Sequence, residues 1–345
     1  MTECRHANTD WLRALAILMV VVHHVSQNVV VFPSEVSSYF KLGSFGVDLF
    51  FVLSGWLIGG LYWRERSKFG NVQLIRFWLR RWLRTLPPYL LFLPIAYASV
   101  YFYRQEAFDS SYLVFLQNYR EKMPFFLVSW SLAVEEHFYL ILPILLGLIA
   151  ALKISFVYTL VVLVLLSSSA RFIDPSAIPS SSFGYAQTAS HLHFTGLLLG
   201  VLMARIEIAN IKVWQSLKQK AAPLVWVSLM LFLLLPFLGE ELRYYWERNV
   251  AILFFASLLL LSQTKSQFWL SGTRFVNQLA LGSYSIYLSH ALLINLYGII
   301  VARLHLNYLL WSPVLLFSIF VIGWLFYCYI ERTTIVLRDK LVPRR

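Results

Sequence analysis

The sequence predicts an all-α, polytopic membrane helix bundle of about ten transmembrane helices, with both termini in the cytoplasm. Hydrophobic residues make up 59% of the 345 residues and charged residues only 13%, which excludes an ordinary soluble domain. Apolar runs of membrane-spanning length recur along the whole chain, and lysine and arginine are distributed unevenly between them. We therefore interpret residues 1–345 as a single integral membrane domain.

Ten apolar runs are the candidate helices. They are residues 11–32, 45–62, 83–103, 127–149, 154–170, 190–204, 223–238, 249–264, 280–302 and 308–330. The first run is too long for a removable secretion signal and lacks a small-residue cleavage site, so we expect a retained helix. The longest connection is too short to fold by itself, which leaves no room for a soluble domain.

The basic residues predict the orientation of these helices. If ten helices alternate in direction, 21 of the 29 lysines and arginines lie on the side of the termini and 8 on the other side. Positive residues accumulate on the cytoplasmic side, so we expect cytoplasmic termini and a location in the cell inner (plasma) membrane. This topology explains most of the net charge of +12 without a nucleic acid partner. The spacing of Cys4 and Cys328 suggests neither a disulfide nor a metal site.

Arg13 and His24 are the most informative residues of the first run. Eleven residues turn a helix by about three full turns, so both side chains project from one face. With a rise of ~1.5 Å per residue, His24 lies ~16 Å beyond Arg13, which places Arg13 at an interface and His24 near the membrane midplane. A lone intramembrane histidine is as often a packing donor as a catalyst, but the stripe shared with Arg13 favours a functional role.

Other polar residues are expected at a similar depth. Glu135 and Glu136 lie ~12–14 Å into the fourth run, where carboxylates are costly unless they are protonated, paired with a cation or exposed to water. The alternative interpretation is one structural ion pair. His290 lies ~15 Å into the ninth run, and Ser54 is at a comparable depth in the second. We expect Ser54 to form hydrogen bonds rather than to act as a nucleophile.

The residues from Arg76 to Arg84 are predicted to form part of a cytoplasmic loop that concentrates arginines. On a helix Arg76, Arg80 and Arg84 would share one face, while Arg81 and Arg84 would lie one turn apart. Such a cluster suits a ligand with several phosphates. Positive-inside anchoring is the alternative explanation for most of these charges.

These residues together resemble the acyltransferase-3 family of integral membrane acyltransferases over nearly the whole chain. The motifs that carry the resemblance are, in order, Arg13 to His24 (R-x10-H), Gly46 to Gly55 (GVDLFFVLSG), Arg81 to Arg84 (R-x-x-R), Trp130 to Tyr139 (WSLAVEEHFY), Ser283 to His290 (SYSIYLSH) and Tyr329 to Glu331. The chain departs from the family pattern at His137, where glutamine is commoner, and at Arg332-Thr333, where proline is frequent. It also carries no appended SGNH-type hydrolase domain, so we expect it to complete the transfer itself or to pass the group to a separate protein.

The resemblance implies transfer of an acyl group, usually acetyl, from acyl-CoA to a hydroxyl of a cell-envelope or exported carbohydrate. Arg13, Arg81 and Arg84 are then expected to bind the CoA phosphates, with no metal required. Membrane lipids and the carbohydrate acceptor complete the expected partners.

The predicted catalytic residues are His24, Glu135, Glu136 and His290. His24 would act as a general base on the acceptor hydroxyl, and one carboxylate would orient its ring as in a Ser-His-Asp arrangement. Acylation of His24 itself, giving a two-step relay, is equally compatible with the sequence. Two other functions stay open: a glycan exporter or flippase, and a non-catalytic scaffold.

Overall fold

The computed structural model describes residues 7–29, 33–174, 183–264 and 273–343, and the regular secondary structure within these ranges is entirely helical. The α-helices are, in chain order, α1 (Ala7–Asn28), α2 (Ser34–Lys41), α3 (Gly46–Phe69), α4 (Leu74–Arg104), α5 (Trp130–Ala151), α6 (Phe156–Ser168), α7 (Ala170–Ile173), α8 (Tyr185–Thr188), α9 (Phe194–Ala209), α10 (Ile211–Gln219), α11 (Ala221–Leu234), α12 (Glu240–Ser262), α13 (Arg274–Arg303), α14 (Tyr308–Phe326) and α15 (Arg332–Leu341). The all-α prediction is confirmed for this part of the chain, and each predicted apolar run coincides with a helix. Cys4 and residues 30–32 of the first run lie outside the described residues.

Six of the described helical stretches are long and apolar enough to cross a membrane, or seven if α9 and α10, which are bent by 118°, form one span. The chain is therefore a multi-pass membrane protein. Helix α6 is apolar but has only 13 residues. Helix α1 has 22 residues, but Arg13, His23 and His24 make it more polar than the six. The expectation of ten spans stays a prediction.

Large apolar side chains remain exposed on several of these helices. On α14 the exposed fractions are 74% for Leu310 and 70% for Phe317, and on α11 Trp226 is 67% exposed. A soluble protein rarely leaves so much contiguous apolar surface in contact with water, whereas lipid hydrocarbon accommodates it. These exposed faces are therefore suited to contact with lipid.

The helices form two compact units that alternate along the chain. The first unit comprises Met1–Val47, Arg80–Ala107 and Ser266–Arg344, and contains α1, α2, most of α4, and α13 to α15. Within it, α1 packs against α13 and α13 packs against α14. The second unit comprises Asp48–Leu79 and Phe108–Lys265, and contains most of α3 and all of α5 to α12. Each predicted site residue belongs to one of these two units.

Helix α1 is held in the first unit by a buried aliphatic stripe. Leu12, Ile17 and Val20 are fully buried. The chain then returns closely past α1, because a Cβ on Gly46 would lie only 2.5 Å from the Ala16 carbonyl oxygen. Only glycine permits this approach of one backbone to another, and the packing fixes the face of α1 that carries Arg13 and His24.

Candidate active site

Helices α1 and α13 bring His24 and His290 together in the first unit. Their ring centroids lie 4.9 Å apart with an interplanar angle of 66°, an edge-to-face arrangement. His290 is fully buried and His24 is half-buried. His23 lies beside His24 with a centroid distance of 4.9 Å. The structure thus places two of the four predicted catalytic residues in direct contact.

Hydrogen bonds to the backbone determine which ring nitrogen of each histidine is available. Nδ1 of His24 donates to the Val20 carbonyl oxygen at 2.9 Å, and Nδ1 of His290 donates to the Tyr287 carbonyl oxygen at 2.6 Å. Because a carbonyl oxygen only accepts, the neutral form of each ring carries its hydrogen on Nδ1 and presents Nε2 as the basic atom. Nε2 of His290 is buried and has no hydrogen-bond partner in the described part of the chain. The pair therefore offers two basic nitrogens.

A second polar cluster involves Arg13, near the N-terminal end of α1. Glu331 is fully buried, accepts a hydrogen bond from Ser285 Oγ at 2.8 Å and lies 3.8 Å from Arg84. Its carboxylate also interacts electrostatically with Arg13, which is itself 3.9 Å from Asp10. Of the three predicted donor-binding arginines, Arg84 thus lies beside the glutamate of the C-terminal motif, and Arg13 is near enough to interact with its charge.

The two clusters are connected by α1 and α13 within the first unit. Arg13 and Ser285 belong to the arginine–glutamate cluster, while His24 and His290 form the histidine pair. Both helices therefore run from the first cluster towards the second. Along α1 the separation is ~16 Å at the usual helical rise. The stripe predicted on one helix is thus lined by a second helix that carries its own histidine.

The arginine-rich segment is part of a transmembrane helix rather than a separate loop. Helix α4 begins at Leu74 and continues through this segment into the apolar run, so the predicted helical spacing of the arginines is correct and the predicted loop is wrong. Arg80 donates to Asp339 at 2.8 Å. Arg81 is partly buried, with its Nε shielded from solvent. One helix can continue from the arginines into the apolar run, because its internal hydrogen bonds pair the backbone N–H and C=O groups on both sides of the membrane surface.

The predicted carboxylates lie on α5, in the second unit. Glu136 is 2% exposed and Glu135 is half-buried. A carboxylate that orients a catalytic histidine usually accepts from Nδ1, and at His24 that contact is made by the Val20 carbonyl oxygen instead. The roles of both glutamates stay predictions. Ser54 forms a hydrogen bond with the Tyr139 hydroxyl, as expected for a packing serine.

Comparison with known proteins decides the family. The sequence profile of acyltransferase-3 proteins, described as an acyltransferase domain, matches residues 6–328. This chain belongs to the acyltransferase-3 family. The matched region includes the arginine–histidine motif of α1, the α5 carboxylates and His290, and it ends three residues before Glu331.

Several curated relatives of this acyltransferase-3 chain are O-acetyltransferases. The peptidoglycan O-acetyltransferase OatA of Listeria monocytogenes is 36% identical over 152 residues, which is 39% of this chain and 23% of the relative. A putative O-acetyltransferase of Staphylococcus aureus is 30% identical over 154 residues, 40% of this chain and 24% of the relative. The O-acetyltransferase OatA of Staphylococcus aureus is 25% identical over 283 residues, 73% of this chain and 44% of the relative. The chain spans less than half the length of these relatives, and no solved structure matches it.

Sequence reasoning missed a buried charge cluster in the second unit of this acyltransferase-3 protein. Both carboxylate oxygens of Asp48 lie 3.2 Å from Arg248, whose guanidinium is 5.9 Å from the centre of the Trp130 ring. Burial, followed by the nearby charge of Arg248, lowers the pKa of Arg171 to about 10. The available signal was Asp48 itself, because a carboxylate in an apolar helix needs a cationic partner. Its partner is 200 residues away, so local pattern could not identify it.

Proposed function

We propose that this protein is a membrane-embedded O-acyltransferase that moves an acyl group, most simply acetyl, from cytoplasmic acyl-CoA to a hydroxyl of a cell-envelope or exported carbohydrate. The observation that carries the proposal is the pair of His24 and His290 with both Nε2 atoms available for proton transfer. Membership of the acyltransferase-3 family supports the reaction class. The name of the Listeria relative supports acetyl as the group and peptidoglycan as one candidate acceptor.

The donor side of the proposal rests on the arginines. Arg13, Arg81 and Arg84 bind the phosphates of CoA, since guanidinium groups pair with phosphate oxygens through charge-assisted hydrogen bonds. Glu331 holds Arg84 in place before the donor arrives, and the guanidinium retains further donors for phosphate. The acyl-bearing arm then extends along α1 towards His24.

The chemical step is a direct transfer in its simplest form. Nε2 of His24 accepts the proton of the acceptor hydroxyl, and the oxygen attacks the thioester carbonyl carbon. The carbon–sulfur bond breaks, the CoA thiolate leaves, and it takes the proton from the imidazolium. The products are the O-acyl ester and CoA. The Val20 carbonyl orients the ring throughout, because it holds the hydrogen of Nδ1.

His290 and the α5 glutamates complete the proposed catalytic set. In a relay variant Nε2 of His24 attacks the thioester carbonyl carbon, the carbon–sulfur bond breaks, and CoA leaves as the thiolate, which gives an acyl-imidazolium that keeps its Nδ1 hydrogen. Nε2 of His290 then takes the proton of the acceptor hydroxyl, whose oxygen attacks the acyl carbon and releases neutral His24. The His290 imidazolium finally gives its proton to the CoA thiolate. The adjacent rings support this variant. Glu136 is the stronger candidate of the two carboxylates, since a buried carboxylate in a membrane helix is a functional candidate by default.

The decisive experiment compares surface glycans of cells that produce wild-type and variant protein. We expect His24→Ala and His290→Ala to lower O-acetylation at least about 100-fold, the scale of a lost general base, with normal protein levels in the membrane. His305→Ala, an exposed histidine between α13 and α14, is the matched control. Full acetylation in both variants would contradict the proposal, and unacetylated glycan trapped inside a null strain would instead favour an exporter.

A further inference from the structure

A group of aromatic side chains in the loops of the second unit has no part in the proposed transfer step. Tyr119, Tyr185 and His191 lie with their ring centroids 5.9–6.0 Å from one another. The rings of Tyr119 and His191 are nearly parallel, at 18°. We refer to these three residues as the tyrosine–histidine platform. His137, the residue that departs from the family pattern, lies 5.9 Å from Tyr119 at the border of the platform.

Hydrogen-bonding groups surround the platform. The Asp174 carboxylate accepts from the Tyr185 hydroxyl at 2.8 Å and from Nε2 of His191 at 3.0 Å. Burial, with the hydrogen bond and charge of Asp174 after it, raises the pKa of Tyr185 to about 12, so its hydroxyl stays protonated at physiological pH. On the other border, Nδ1 of His137 lies 2.6 Å from Ser190 Oγ.

Tyr119 is exposed, Tyr185 and His191 are half-buried, and backbone hydrogen bonds hold the loop that carries Tyr119. Tyr119 is 40% exposed, whereas Tyr112 of the same loop is fully buried. The loop that carries Tyr119 is tied to the chain before α8 by two backbone hydrogen bonds, from Met123 N to the Phe183 carbonyl oxygen at 3.1 Å and from Tyr185 N to the Arg120 carbonyl oxygen at 2.8 Å. An aromatic ring that only packs in the interior does not need contact with solvent. The exposed ring of Tyr119 therefore makes this surface suited to bind a ligand.

The chemistry of the platform matches a sugar ring. A pyranose presents apolar C–H groups on its faces and hydroxyl groups around its edge, so it stacks on aromatic rings while carboxylate, hydroxyl and imidazole groups bind its edge. The Asp174 carboxylate disfavours a phosphate ligand, and the polar border disfavours a purely apolar one. We propose that the tyrosine–histidine platform binds sugar residues of the acceptor glycan.

This inference rests on the proposed function, which supplies the glycan. Tyr119 and Tyr185 belong to the segments 104–126 and 171–189, which the charge distribution predicts to lie outside the cell, and His191 lies two residues beyond the second segment, at the start of the run 190–204. Acceptor recognition and acyl transfer are then carried by different residues, and substitutions in the platform should affect acceptor affinity rather than the chemical step.

The test uses the purified full chain in detergent, with a β-1,4-linked N-acetylglucosamine tetramer as the glycan probe. We expect Tyr119→Ala to raise the Kd for the tetramer about five- to tenfold, the effect of losing one aromatic contact. His191→Gln, a second variant with a polar side chain of similar length, should weaken binding in the same direction. Tyr101→Ala is the matched control, because Tyr101 is 42% exposed and also contacts other rings.

Kinetics with acetyl-CoA separate this inference from the proposed function. The acceptor KM of Tyr119→Ala should rise as its Kd does, with kcat close to that of wild type. Wild-type Kd values in both platform variants, or no tetramer binding by the wild-type protein, would overturn the platform. A different result is tetramer binding that depends on Tyr119, combined with no acetyl transfer by the wild-type protein. That result would overturn the proposed function and leave the platform proposal standing.

Discussion

The charges around Arg84 show how solvent exposure changes the contribution of an ion pair to stability. Arg84 and Asp339 are partly exposed, whereas Glu331 is fully buried. Removing the partner of a buried charge leaves that charge uncompensated, while an exposed charge is solvated by water. The same helix, α4, carries both situations, since Arg80 pairs with Asp339 and Arg84 pairs with Glu331.

We therefore expect Arg84→Gln to lower the free energy of unfolding by about 3 kcal/mol, because it removes the guanidinium that lies 3.8 Å from the buried Glu331 carboxylate. Glu331→Gln should cost less, since it removes the buried charge and retains an acceptor for Ser285. Adding Glu331→Gln to Arg84→Gln should then restore part of the loss. Denaturant unfolding of the purified protein measures each value.

Asp339→Asn is the control for this cycle, with an expected cost below about 1 kcal/mol for a pair whose carboxylate side chain is 47% exposed. Equal losses in Arg84→Gln and Asp339→Asn would show that burial does not govern these pairs.

Helix contacts in the second unit depend on small residues. A Cβ on Gly55 of α3 would overlap the carbonyl oxygen of Leu197, and one on Gly200 of α9 would approach the Trp56 nitrogen to 2.5 Å. Glycine has no Cβ, so the two backbones approach more closely than any other residue allows.

We expect Gly55→Ala and Gly200→Ala each to destabilise the protein by about 1–3 kcal/mol or more, the usual cost of overpacking. Gly147→Ala on α5 is the control, because no neighbouring atom lies within 4 Å of its added methyl group. Alanine is there favoured by about 1 kcal/mol through helix propensity. Thermal unfolding in detergent provides the measurement, and equal melting temperatures for all three variants would contradict the contact.

The whole molecule combines helices of very different apolarity. The six clearly apolar stretches are accompanied by α1, by the short helices α6 and α11, and by the bent pair α9 and α10. Ten crossings follow if each of these also spans the membrane. Both termini then lie in the cytoplasm, and the asymmetry of lysine and arginine agrees with that arrangement.

Cysteine labelling tests the ten-span topology in a background that lacks Cys4 and Cys328. We expect Lys122→Cys to react with a membrane-impermeant maleimide in intact cells, because the ten-span topology predicts that its loop lies outside. Lys212→Cys and Lys340→Cys should react only after the cells are opened. All three side chains are exposed, so accessibility on each side depends on topology. Labelling of Lys340→Cys in intact cells would contradict cytoplasmic termini.

The fold and part of the candidate site could be predicted because membranes impose local rules. Apolar run length predicts helices, and a polar residue in such a run predicts function, which singled out Arg13, His24 and His290. Partners of polar groups could not be predicted in this way. Arg248 pairs with Asp48, which is 200 residues away in the chain, and this contact does not follow from the pattern of one segment.

The sequence by itself determined the all-helical membrane architecture, the family and the shared face of Arg13 and His24, because hydropathy, motif order and helical periodicity are properties of neighbouring residues. Only the tertiary structure decided that His290 meets His24, and that Tyr119, Tyr185 and His191 assemble into one platform. The physical reason is that such contacts join segments far apart in the chain, and packing rather than periodicity selects which side chains meet.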